Sequence, residues 1–291
     1  MRISTRQVQH LKPALDHLYL TFDYQARVAH DPLEVVHHTR GEVSQQVMGL
    51  ICALMAYGRV DLFKPLLWKL KSDLENYAGS VEVFARHFDV HRDGPVLAGF
   101  KYRMTHGGHL IRLFGGIRPL LDTWGDLDHS LGHFFSPGDP HVGPALTRFV
   151  EHLYGVEGQV DRGFRHLVSS PALGSACKRL NLWLRWMVRS QPGVDLGLFK
   201  SLPPSHLLLP LDTHSFRMAQ NLGLTGRRVA DWRSAEEITA VLRQLDPHDP
   251  VKYDFALCHL GMSGGCPPHI DVETCQRCEL NSHCIHPRTL G

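Results

Sequence analysis

At 291 residues and 32.8 kDa, the chain is long enough for about two domains and for a core that needs no disulfide or metal. Hydrophobic residues at 43% and charged residues at 21% exclude a disordered or collagen-like chain. Thirty-one Lys plus Arg against 29 Asp plus Glu leave a net charge of +2, too little for bulk polyelectrolyte binding.

The longest apolar runs, Met48–Tyr57 and Leu207–Leu211, fall short of the roughly 20 residues of a membrane span. The opening Met1–Gln7 carries neither an apolar h-region nor a small-residue cleavage site. A soluble, cytoplasmic protein without a membrane partner is expected. Within the basic set, eight lysines stand against 23 arginines, so a functional amine has few candidates. The scattered histidines, such as His10, His17 and His30, read as surface residues.

Helical periodicity runs along nearly the whole chain. Glu42–Tyr57 places Val43, Val47, Leu50, Ile51 and Leu54 on one face, and Leu62–Tyr77 repeats the pattern. His109–Trp124, Ala145–Tyr154, Ser175–Ser190, Thr213–Leu222, Ala235–Leu245 and Pro250–Met262 read alike. Short Pro/Gly stretches punctuate them: Asp93-Gly94-Pro95, Ser136–Pro140 and Gln191-Pro192-Gly193. The fold class is all-α, with about ten helices.

Five of the seven cysteines fall in the last 34 residues, and Cys52 and Cys177 sit inside apolar helices as core residues. In Cys266-x8-Cys275-x2-Cys278-x5-Cys284, the Cys-x2-Cys turn lets two thiolates reach one centre and the flanking cysteines complete a four-thiolate set. A 4Fe–4S cluster tolerates such uneven spacing. Zinc stays open, because His283 and His286 offer nitrogen ligands, although zinc knuckles usually pair two Cys-x2-Cys units. Disulfides fit poorly with a reducing compartment.

The motif resembles the C-terminal iron–sulfur signature of the endonuclease III branch of helix-hairpin-helix/Gly-Pro-Asp DNA glycosylases, with two extra residues in its first gap. The resemblance implies a structural cluster on Cys266, Cys275, Cys278 and Cys284 that supports DNA docking. Pro210-Leu211-Asp212-Thr213-His214 is similar to that family's Val-Asp-Thr-His stretch, which makes Asp212 the catalytic carboxylate. Read from the residues alone, Asp212 is an N-cap, and the two roles are compatible, since a helix N-terminus holds a carboxylate ionised.

Ser169–Asn181 reads as helix, Pro/Gly turn and helix, with Ser175 as N-cap, and resembles a degraded helix-hairpin-helix. Gly174, Ser175 and Arg179 would then meet a DNA phosphate. Lys178 would stand in the first turn, where the helix dipole, Arg179 and burial against Trp183 and Trp186 all favour a neutral nucleophile. A solvated helix lysine is the alternative. Relatives carry the lysine two residues after the second glycine, whereas Lys178 follows Gly174 by four; two helix positions rotate a side chain by about 200°. The 34-residue separation of Lys178 and Asp212 is similar to that of the archaeal 8-oxoguanine glycosylases. Blocks at Ala56–Arg59, Gly174–Asn181 and Lys252–Leu257 also resemble a bacterial family of unassigned function.

Asp254, beside Tyr253 and Phe255, could accept hydrogen bonds from a flipped purine, or serve only as an acidic helix start. Tyr57 falls where relatives place lesion-pocket residues, or simply ends a helix. The expected architecture is two helical lobes flanking a DNA cleft. One is a barrel over residues 42–190; the other joins residues 1–41 to 191–291 and carries the 266–284 cluster. The resemblance implies a monomeric, nucleoid-associated DNA glycosylase with β-lyase activity on double-stranded DNA bearing an oxidised purine such as 8-oxoguanine. A monofunctional glycosylase using Asp212 and water, or a non-catalytic DNA/RNA-binding module, are the alternatives.

Overall fold

The computed structural model describes residues 4–269 and 271–285; His286 lies outside them. Helix α1 (Thr5–Thr21) opens on a capping box, Ser4 with Gln7, and turns Val8, Leu11, Leu15 and Leu18 inward. Helices α2 (Tyr24–Val28), α3 (Leu33–His37), α4 (Glu42–Met55), α5 (Val60–Ala78), α6 (Val81–Arg86) and α7 (Val90–Ala98) follow. A two-residue hairpin pairs β1 (Lys101–Tyr102) with β2 (Thr105–His106). Then come α8 (Gly107–Trp124), α9 (Leu127–Phe134), α10 (Gly143–Tyr154), α11 (Arg162–Leu167), α12 (Lys178–Val188), α13 (Thr213–Asn221), α14 (Trp232–Leu242), α15 (Asp254–Met262) and α16 (Val272–Gln276). No helix among the described residues is long and apolar enough to cross a membrane.

The all-α expectation holds, with more helices than periodicity revealed: the additions are mainly five- and six-residue helices, too short for a periodic window. Asp93-Gly94-Pro95 is a correction. It lies inside α7, which Asp89 starts by accepting the His91 and Arg92 amides.

Helices α4 and α12 form the centre. Met48–Met55 is buried on every side, as is Leu180–Val188, the mark of helices enclosed by others. Gly49 lets them close: a Cβ there would stand 2.4 Å from the Met187 methyl. Apolar burial divides into two cores. The first spans Leu33 to Leu208 and takes in Trp232, Val251 and Phe255. The second joins α1 to Leu209, Leu211, α13, α14 and part of α15. The chain passes between them at Ala176/Cys177, at Leu208/Leu209 and around Tyr253–Ala256. Those three crossings carry the site.

Candidate active site

Lys178 is the first residue of α12, and the residue before it sets its direction. Cys177 adopts a left-handed conformation (φ 46°, ψ 39°), uncommon for a side-chain-bearing residue. Its amide donates to Ser175 Oγ (3.2 Å) and its thiol to the Ser169 carbonyl (3.2 Å). The expected cap at Ser175 is therefore corrected: the helix starts three residues later. Residues 175–177 are non-helical.

Along α12, Lys178, Leu182 and Arg185 share one face, at spacings of four and three residues, and all three line one cavity of about 320 Å³. Across it, α15 presents Asp254, Cys258 and Met262 at four-residue intervals. Asp212 caps α13, its Oδ1 accepting the His214 and Ser215 amides at 2.9 and 2.8 Å. Its Oδ2 faces Lys178 Nζ at 3.6 Å and accepts the Cys258 thiol at 3.4 Å. Burial alone would raise the Asp212 carboxyl, but Lys178, the backbone amides and Cys258 outweigh it and hold the group below its ordinary value. Burial and the carboxylates of Asp212 and Asp254 push the Cys258 thiol well up, so it is a neutral donor. Lys178 Nζ also donates to the Ala56 carbonyl at 3.5 Å. The arrangement can hold an amine against an ionised carboxylate at the wall of a pocket.

Asp254 is buried and paired through Oδ2 with Arg185 Nη1 at 2.5 Å, while its Oδ1 has no protein partner. Burial raises its carboxyl against the lowering effect of Arg185. Arg185 also reaches Asp195, which pairs in turn with Arg189, and Arg189 holds Asp249 at 2.9 Å. Sequence reasoning missed Arg185. The available signal was a charged residue on the apolar stripe of α12, seven residues beyond Lys178, hence on the same face.

Four expected contacts fall elsewhere. Arg179 turns inward: it donates to the carbonyls of Leu54 (3.2 Å) and His166 and lies 5.1 Å over the Tyr57 ring. Burial depresses it to about 10. Tyr57 is a strut whose hydroxyl bonds the Tyr102 carbonyl and Thr105 Oγ1; its neighbours Ala56 and Gly58 line the cavity instead. Gly174, at φ +77°, donates its amide to the Pro171 carbonyl and accepts from the Trp232 amide. Ser175 forms a bridge with Asp231. This turn is tied to the start of α14, and these groups are already engaged within the protein.

Cys266, Cys278 and Cys284 rest against the second core, and Asn221 donates to Cys266 Sγ at 3.3 Å. Burial raises the Cys278 thiol against the lowering effect of the Leu280 backbone amide. Cys275 stands in α16, and its carbonyl accepts the Cys278 amide at 3.1 Å. No three described cysteines bring their sulfurs within 4.8 Å of one another. Among the described residues the one trio that does converge so closely is His106, His109 and Asp161. There the His106 backbone amide donates to His109 Nδ1 (3.3 Å), which places the imidazole proton on Nε2, facing both Asp161 oxygens at 3.1 Å. That pair braces the starts of α8 and α11, and the lone pairs a cation needs are engaged.

No curated protein and no solved structure matches the chain. The family model described as "Protein of unknown function (DUF2400)" matches residues 31–263, a span that holds Lys178, Asp212 and Asp254 and ends before Cys266. The chain belongs to that family.

Proposed function

We propose that the protein is a DNA glycosylase with β-lyase activity, acting on a base turned out of duplex DNA into the cavity between α12 and α15. One observation carries the reading: Lys178 and Asp212, 34 residues apart in sequence, meet at 3.6 Å beside a cavity where the two cores adjoin. In the reaction, a proton of the Lys178 ammonium passes through Asp212 to the departing base, and the freed amine bonds C1′ as the bond to the base breaks, with that electron pair leaving on the base. Asp212, ionised and fixed by two amides, stabilises the positive charge that develops on the sugar. Ring opening leaves an imine on Lys178, from which loss of a C2′ proton expels the 3′ phosphate.

The same reading assigns Cys266, Cys275, Cys278 and Cys284 to a 4Fe–4S cluster. Its support is the spacing of the four cysteines in sequence, three of which, Cys266, Cys278 and Cys284, pack against the core that also carries α13. When bound, such a cluster supplies no step of this reaction; it braces the docking surface.

Borohydride trapping on duplexes bearing 8-oxoguanine and other lesions tests the assignment. A covalent adduct is expected, and Lys178→Gln is expected to abolish adduct and strand cleavage. Asp212→Asn keeps the cap and loses the charge, so base release falls at least about 100-fold. Base loss without an adduct would make the enzyme monofunctional. Neither product on any lesion would leave only a binding module.

A further inference from the structure

The cap fixes Asp212 in direction: Oδ1 accepts the His214 and Ser215 amides at 2.9 and 2.8 Å, and the carboxyl group cannot swivel without breaking them. Two groups from other helices meet its second oxygen. Cys258 Sγ, on α15, donates to Oδ2 at 3.4 Å. Lys178 Nζ, on α12, stands 3.6 Å from the same atom, beyond the roughly 2.7–3.2 Å of a hydrogen bond from nitrogen. The Ala56 carbonyl is no nearer to Nζ, at 3.5 Å. The ammonium is therefore drawn to Asp212 without a short bond to it. Cys258 is no second nucleophile, because burial and the carboxylates of Asp212 and Asp254 push its thiol well up and keep it protonated. Its Sγ also lies 3.7 Å from Met262 Sδ, a weak acceptor beside an ionised carboxylate, so the thiol proton serves Asp212.

We infer that Cys258 is a positioning residue of this site: its thiol occupies Asp212 Oδ2 and holds the carboxylate off Lys178, so the amine lies beside the charge without being locked into a short salt bridge. A short bond from an ammonium to a carboxylate favours the charged amine, whereas a nucleophilic amine attacks in its neutral form. With Oδ1 committed to the cap and Oδ2 shared with a neutral donor, Asp212 stays ionised for the developing sugar cation and Lys178 stays free to give up a proton. Other charges act on the pair through space: Asp254 on α15, itself bound to Arg185, and His214 on α13. Arg59 with Asp61, and His259 with Asp31, are paired with each other on the cavity wall. None of these is altered by a change at Cys258. The inference rests on reading Lys178 and Asp212 as the reacting pair, and it adds the group that sets the spacing between them.

The test labels the lysine side chains of the full chain, eight in all, and titrates them by NMR; the Lys178 signal is the one missing from Lys178→Gln. Cys258→Ala should move its titration midpoint up by about one pH unit, a tenfold change in the neutral fraction, as the ammonium closes onto Oδ2. Cys258→Ser keeps a donor on that oxygen and should hold the midpoint within about 0.3 pH unit of wild type. In an Asp212→Asn background no carboxylate remains to close upon, so adding Cys258→Ala should move the midpoint by less than about 0.3 pH unit. On an abasic duplex, borohydride trapping by Cys258→Ala should slow about tenfold at neutral pH and recover in alkali, whereas a merely structural loss would lower the rate at every pH. An unmoved midpoint in folded Cys258→Ala, a shift that serine does not reverse, or the same shift in the Asp212→Asn background overturns the inference. The NMR titration needs no DNA. A midpoint shift without a borohydride adduct on any lesion therefore removes the lyase reading and keeps the role of Cys258. An adduct with an unmoved midpoint does the reverse.

Discussion

At the scale of single residues, Asp212 shows how one side chain caps a helix and holds an ion pair at once. One oxygen caps α13 while the other faces an amine and a thiol. Its folded-state carboxyl lies below the ordinary value, so the stability it contributes is fully present above that ordinary value. It is lost as pH falls through the lower folded value. Thermal melts of wild type and Asp212→Asn across acidic pH should therefore converge, with the gap widest at neutral pH. A gap that grew as pH fell would contradict the ion pair. The Lys178 side chain itself is only 30% exposed, its stem packed beside a turn that a left-handed Cys177 directs.

Elements are joined by groups that a sequence reader would place on the surface. Arg179 ties α12 to the end of α4 through Leu54 and to α11 through His166, with its guanidinium over Tyr57. Removing it strands two carbonyls and an aromatic contact. Arg179→Ala should cost about 2 to 3 kcal/mol of unfolding free energy, from charged hydrogen bonds and a cation–π contact. The salt dependence of DNA binding should keep its slope, because the arginine neutralises no phosphate. Chemical denaturation and binding isotherms at several salt concentrations check both halves; a flattened slope would return Arg179 to the DNA.

For the whole molecule, the two cores adjoin where Lys178, Asp212 and Asp254 lie, and the cysteine region rests on the core that holds α13. Anaerobically purified protein should be brown, with a broad visible absorption shoulder and about four irons per chain. Stoichiometric zinc without iron would overturn that assignment.

Much of this was legible in the residues themselves. Helical class follows from apolar spacing, because a stripe that must be buried recurs with the turn of the helix, as in Glu42–Met55 and Gly107–Trp124. Asp212 was recognisable as a cap because a short carboxylate before an apolar helix has one local task. Local rules failed at Asp93-Gly94-Pro95, where a strong cap at Asp89 carries a helix through residues that usually end one. They failed also at Ser175, where pairing with Asp231 holds the backbone extended. Long-range geometry decided the rest. Only tertiary packing turns Arg179 onto two carbonyls, makes Tyr57 a strut, and sets Arg185 and Asp254 at one cavity wall, 69 residues apart in the chain. A side chain's type and its neighbours in sequence specify what it can bond. Which partner it finds is settled when α4, α12 and α15 close on one another and exclude water from the groups between them.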